Sequence, residues 1–171
     1  MMSLPNLLSL LRITLMPFIL LALRSGRDLP LLALMLAAVA TDFFDGLVAR
    51  KTNQISDLGK VLDPLADKVC VDTMVIALSL WRGFPWWATG IIVGRDLLIL
   101  LGGLVLMKKA KTVPVSNWPG KVAVTSLAVA IVSYAMRWQP WGYYILLASM
   151  ALVAISGAIY LNEFRKQRGA A

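Results

Sequence analysis

Long apolar stretches, broken by short charged or proline-bearing turns, set the layout of this chain. Residues 29–40, 71–81, 86–93, 97–107 and 145–155 carry almost no charge. A helix that crosses the hydrocarbon of a bilayer needs about 20 mostly apolar residues. Six candidates meet that need, near residues 6–23, 29–50, 60–81, 87–107, 121–137 and 141–162. The breaks hold the expected punctuation: Ser25-Gly26-Arg27-Asp28, Arg82-Gly83-Phe84-Pro85, Lys108 to Lys121 with Pro114 and Pro119, and Gln139-Pro140. The pattern predicts an all-α, polytopic membrane protein of six transmembrane helices, organised as a single domain over residues 1–171. It has no internal repeat and no low-complexity segment.

The first run is not read as a signal peptide. It has no basic leader, Arg12 interrupts the apolar stretch, and no small-residue cleavage site follows. Pro5 and Arg12 suit a start at the interface, with Arg12 snorkelling before the chain crosses, and Pro17 is expected to kink the helix. Lys and Arg in the short loops orient the rest. With both termini cytoplasmic, the inner segments hold Arg50, Lys51, Lys60, Lys108, Lys109, Lys111, Lys121, Arg165, Lys166 and Arg168. The outer turns then hold only Arg24, Arg27, Arg82 and Arg137, while Trp81, Trp86, Trp87, Trp138 and Trp141 gather at the outer ends as an aromatic belt. This orientation suits a bacterial inner membrane with the chemistry facing the cytoplasm.

Composition agrees, since 59% of the residues are hydrophobic, 15% are charged and the mean hydropathy is +0.76. Soluble domains carry about 45–50% apolar and about 25% charged residues. The net charge of +8 lies between and beyond the apolar runs, where lipid headgroups would meet it; no nucleic-acid partner is expected. There is no histidine, which excludes His-based triads and HExxH zinc sites. No phosphate-binding glycine loop is present. The one cysteine, Cys70, reads as a small buried hydrophobe. Catalysis is left to carboxylates, Arg, Lys and any metal they hold.

The carboxylates are conspicuous, because an Asp inside a membrane helix costs about 2.5–3.5 kcal/mol on insertion scales. Asp42, Asp45, Asp63, Asp67, Asp72 and Asp96 all fall in or beside predicted spans. Asp42 and Asp45 are three apart and Asp63 and Asp67 four apart, so each pair shares a helix face. The second and third spans are antiparallel. At 1.5 Å per residue all four carboxylates lie roughly 5–12 Å inside the cytoplasmic end. Such a cluster repels itself unless a cation sits within it, and oxygen-only donors suit two Mg²⁺ or Mn²⁺ ions. Gly46, Ala49 and Gly59 leave room for close approach on that side, and Arg50 could hold a phosphate bidentately. Together they describe a site for a pyrophosphate-containing molecule. Two alternatives stand beside it: Asp residues paired with Arg and Lys for packing, and a cation or proton pathway.

Asp42, Asp45, Gly46, Ala49 and Arg50, then eight residues, then Gly59, Asp63 and Asp67, reproduce the pattern DxxDGxxAR, eight residues, GxxxDxxxD. This resembles the signature of the CDP-alcohol phosphatidyltransferase family, and the six spans and cytoplasmic ends match that family too. The resemblance implies two divalent ions held by Asp42, Asp45, Asp63 and Asp67. It implies a CDP site lined by Asp45, Gly46, Ala49, Arg50 and Gly59, and Asp67 as the general base. The acceptor oxygen would attack the β-phosphorus of CDP-diacylglycerol and CMP would leave. The family also implies a homodimer.

The stretch from Pro5 and Asn6 to Arg12 is similar to the start of the family's phosphatidylglycerophosphate synthases, whose acceptor is sn-glycerol 3-phosphate. The segment Val93-Gly94-Arg95-Asp96 is also similar to theirs, although they more often show Arg-Glu; the Asp form looks like the CDP-dependent cardiolipin synthases, which use phosphatidylglycerol. Inositol phosphate or serine as acceptor remains a further alternative. Pro119-Gly120-Lys121 resembles an element of both groups, without its usual Lys-Thr-x-x-Gln continuation. Arg95, Lys121 and Arg12 are candidates for the acceptor phosphate, and Asn6 for the nucleotide, with interfacial anchoring as the rival role for Asn6 and Arg12. Asp72 lies about 140° round the helix from Asp67. It reads as structural, a candidate partner of Arg95, for which Asp96 or a neighbouring helix stands as an equal alternative. Gly90 and Gly94 read as close-packing positions.

Overall fold

The computed structural model describes the backbone of residues 4–52, 59–107 and 118–169, and side chains over 11–41, 65–100, 120 and 122–158. The described backbone is helical throughout apart from its turns: α1 Leu4–Ser25, α2 Asp28–Thr52, α3 Gly59–Trp81, α4 Trp86–Met107, α5 Trp118–Ala135 and α6 Trp141–Gly169. These six match the six apolar runs in order. Two boundaries differ. Helix α5 begins at Trp118, ahead of Lys121, because Pro119 fits a first helical turn, where its missing N–H is not needed. Helix α6 continues through Asn162 to Gly169, past the apolar stretch, on residues such as Glu163, Arg165, Lys166 and Gln167 that favour helix without being hydrophobic.

Turn chemistry explains where the helices stop. After α1, Gly26 adopts φ 72°, its N–H reaches the Leu23 carbonyl (3.4 Å), and the Arg27 N–H reaches that of Ala22 (3.3 Å). These two bonds make a Schellman cap, with glycine free to take the left-handed conformation. After α3, Gly83 takes φ 70° and the Phe84 N–H folds back onto the Leu78 carbonyl at 3.2 Å. After α5 the same cap as at Gly26 forms around Arg137, at φ 57°, with Trp138 N–H on Ser133 O at 2.9 Å. A cis Gln139-Pro140 bond then leads into α6.

The chain forms two compact units, Met1–Gly103 and Leu104–Ala171. In the first, α1 packs against both α2 and α3. Its core comprises Ile19, Leu23, Leu31, Val75, Leu78, Phe84 and Ile92, all essentially buried. Where α1 ends, α2 begins and α3 ends, Arg82 donates to Asp28 Oδ1 (2.9 Å) and to the Leu23 carbonyl (3.3 Å), so one side chain binds the three helices together. Helix α4 is joined to α3 by the buried hydroxyl pair Ser79 and Thr89, 2.6 Å apart. In the second unit, α5 and α6 pack as a hairpin on small residues: Ala123, Ala130, Ser133 and Ser149 are buried. A Cβ at Gly142 would press on Gln139 Nε2 (3.3 Å) and Tyr134 Cδ2 (3.4 Å). Close backbone approach of this kind is how helices pack in lipid, where apolar burial contributes little.

The outside is apolar. Leu29 is 80% exposed, Leu98 73% and Trp141 70%, with many other large hydrophobic side chains beside them. Exposure on this scale fits a membrane setting. Among the described residues, Trp141–Ala158 of α6 is by itself long and apolar enough to span. Helices α3 and α4 carry charges along their length, Asp67, Lys68 and Asp72 on one, Arg95 and Asp96 on the other. At Gly90 and Gly94 a Cβ meets nothing within 4 Å among the described residues.

Candidate active site

The eight signature residues fall on two helix ends. Asp42, Asp45, Gly46, Ala49 and Arg50 occupy the last three turns of α2; Gly59 opens α3, and Asp63 and Asp67 follow within its first three turns. Counted at 1.5 Å per residue, Asp42 and Asp45 lie about 15 and 10 Å from the end of α2, and Asp63 and Asp67 about 6 and 12 Å from the start of α3. The side chains of Asp42, Asp45, Gly46, Ala49, Arg50, Gly59 and Asp63 lie outside the described residues, as do those of Asn6 and Lys121.

Asp67 is described, and its surroundings were not foreseen. Its Oδ1 is buried against the guanidinium of Arg12 from α1, whose side chain is 10% exposed. Arg12 therefore does not snorkel to an interface. A guanidinium at this burial needs a counter-charge, and Asp67 supplies it. The Asp67 side chain as a whole is 47% exposed, so its open area lies away from Oδ1. One half of the group is held and the other faces outward. The packing of α1 against α3 makes this possible, and it brings Arg12 to the signature residues.

A second charged group lies on the other side of α3. Lys68 Nζ is 3.5 Å from Asp96 Oδ1 and 3.4 Å from the Asp96 main-chain carbonyl, on α4. Asp96 is buried, and Arg95 Nη1 also lies 3.5 Å from its Oδ1. Asp72 is one helical turn beyond Lys68 on α3. Of the partners open to Arg95, the structure shows Asp96, its neighbour on α4. Lys68 is the residue sequence reasoning passed over. Its signal was available, since a lysine inside an apolar run is as costly as an aspartate, and four residues separate it from Asp72.

Among the described residues no three metal-ligating side chains come together; three of the four signature carboxylates lie outside that set. The donor chemistry fits a hard divalent cation, being all carboxylate. The half-open Asp67 group suits a ligand with one oxygen held in place and the remainder presented.

A family model for CDP-alcohol phosphatidyltransferases matches residues 2–157. The chain belongs to the CDP-alcohol phosphatidyltransferase family. It is 36% identical over 135 residues to a probable phosphatidylglycerophosphate synthase of Mycobacterium tuberculosis, covering 75% of this chain and 64% of that protein. It is also 36% identical over 135 residues to a CDP-diacylglycerol–glycerol-3-phosphate 3-phosphatidyltransferase of Aquifex aeolicus, covering 77% and 75%. A cardiolipin synthase (CMP-forming) of Streptomyces coelicolor is 35% identical over 137 residues, covering 75% and 63%. The chain thus spans just under two thirds of the Mycobacterium and Streptomyces proteins.

Proposed function

We propose that this protein transfers the phosphatidyl group of CDP-diacylglycerol to sn-glycerol 3-phosphate and releases CMP. The observation that carries the reading is the complete eight-residue signature on the ends of α2 and α3, within a family match over residues 2–157. The Mycobacterium and Aquifex names support the acceptor. The Streptomyces relative favours one other acceptor, phosphatidylglycerol, which would give cardiolipin. The family match leaves a cation or proton transporter without support.

In this reading all six helices span an inner membrane as one domain, both ends are cytoplasmic, and two copies pair. The lipid tails stay among the helices while the polar acceptor arrives from the cytoplasm. Asp42, Asp45, Asp63 and Asp67 would hold two Mg²⁺ or Mn²⁺ ions, which when bound neutralise the pyrophosphate. Gly46, Ala49 and Gly59 leave space for the cytidine diphosphate, Asp45 and Arg50 bind it, and Asn6 approaches it. Asp67 accepts the proton of the acceptor hydroxyl as that oxygen forms its bond to the β-phosphorus and the bond to CMP breaks. Arg12 orients Asp67 in preference to binding the acceptor. Arg95 is left to bind the acceptor phosphate.

The test is CMP release by purified protein given Mg²⁺ or Mn²⁺, CDP-diacylglycerol and a panel of acceptors. Glycerol 3-phosphate is expected to support release, and chelation with EDTA to stop it until metal is restored. Release with phosphatidylglycerol alone would move the assignment to cardiolipin formation. No release with any acceptor would refute the reading.

A further inference from the structure

We propose that Lys68 is a positioning residue: its bridge to Asp96 fixes the rotation of α3 and so holds Asp67 toward the site. This rests on the function proposed above for Asp67. Consecutive residues of a helix point about 100° apart. At one level of α3, Asp67 is therefore held by Arg12 from α1, while Lys68 reaches Asp96 on α4. The bridge is double, to the carboxylate and to the main-chain carbonyl of Asp96. It is also enclosed, with the Lys68 side chain 23% and the Asp96 side chain 10% exposed. Asp72 Oδ1, on the Lys68 face of α3, is buried without a hydrogen-bond partner among the described residues. Turning α3 about its axis would draw Lys68 away and leave buried carboxylates facing each other, which a low-dielectric setting opposes. The helix is clamped from two sides beside the group that receives the proton.

The experiment places a reporter at the clamp. Asp67→Cys in a Cys70→Ala background is labelled with a membrane-impermeant maleimide in nanodiscs. Adding Lys68→Met is expected to change the labelling rate by about threefold or more, since thiol reactivity follows exposure. Lys68→Arg, which still reaches Asp96, is expected to restore the parent rate. In the otherwise unaltered enzyme, Lys68→Met should lower kcat about tenfold with little change in either KM, because ångström-scale misplacement costs up to ~100-fold. Asp96→Asn keeps size and hydrogen bonding and tests the bridge from the other helix if Lys68→Met does not fold. Unchanged labelling together with unchanged kcat would overturn the proposal. An unaltered enzyme that releases no CMP would refute the functional reading, and the labelling would still decide whether Lys68 positions position 67.

Discussion

At the residue scale, Asp67 differs from Asp96 by what it faces. Asp67 has one oxygen against Arg12 and an open remainder, whereas Asp96 is buried beside Lys68 and Arg95. Replacing a proposed metal ligand should therefore be far more harmful than replacing a carboxylate of the α3–α4 group. Asp63→Asn is expected to cut CMP release at least about a hundredfold, since even outer-shell partners of a metal cost 10–100-fold. Gel filtration and circular dichroism should show that it still folds. Asp72→Asn should keep most activity, because Asp96 still holds Lys68; equal loss in both variants would contradict the face assignment. Which aspartates form the signature was legible in the spacing alone. The partner of Arg12 was not, because spacing places residues on one helix and says nothing of the neighbour that helix meets.

At the element scale, the helices and their stops were nearly all legible, since apolar runs and Gly or Pro punctuation are local features. Arg137 shows the exception. It takes φ 57°, a conformation in which a side chain costs about 1–2 kcal/mol, at a cap that glycine fills after α1. Arg137→Gly is expected to raise the thermal midpoint in detergent by about 1–3 °C; a lowered midpoint would show that the arginine side chain matters more than the backbone. The Arg82 clip gives a second expectation. Arg82 is 2% exposed and Asp28 46%. Asp28→Ala strands a buried guanidinium and should cost about 3 kcal/mol, whereas Arg82→Met leaves a carboxylate that water can reach and should cost about 1 kcal/mol. Chemical or thermal unfolding of the two variants, compared directly, checks the order.

At the scale of the whole molecule, the apolar exterior and the basic inner loops belong to the same account. Large hydrophobic side chains cover the outside, and Lys and Arg gather at what is proposed as the cytoplasmic face. Single cysteines test the proposed orientation in a Cys70→Ala background. Ser25→Cys and Trp138→Cys should react with an impermeant reagent in intact cells, and Arg165→Cys only after permeabilisation. The reverse pattern would invert the topology and put the signature helix ends on the wrong side for a cytoplasmic acceptor.

Sequence by itself determined the helical class, the order of six helices, the membrane setting and the family signature, because each follows from composition or from spacing along one segment. Tertiary structure alone decided that α1 is the shared neighbour of α2 and α3, that Arg12 meets Asp67, and that Lys68 joins α3 to α4 through Asp96. The physical reason is the cost of an unpaired charge away from water. That cost requires every buried Arg, Lys and Asp to find a partner, yet it does not say which one, and only the packing of one helix on another makes the choice.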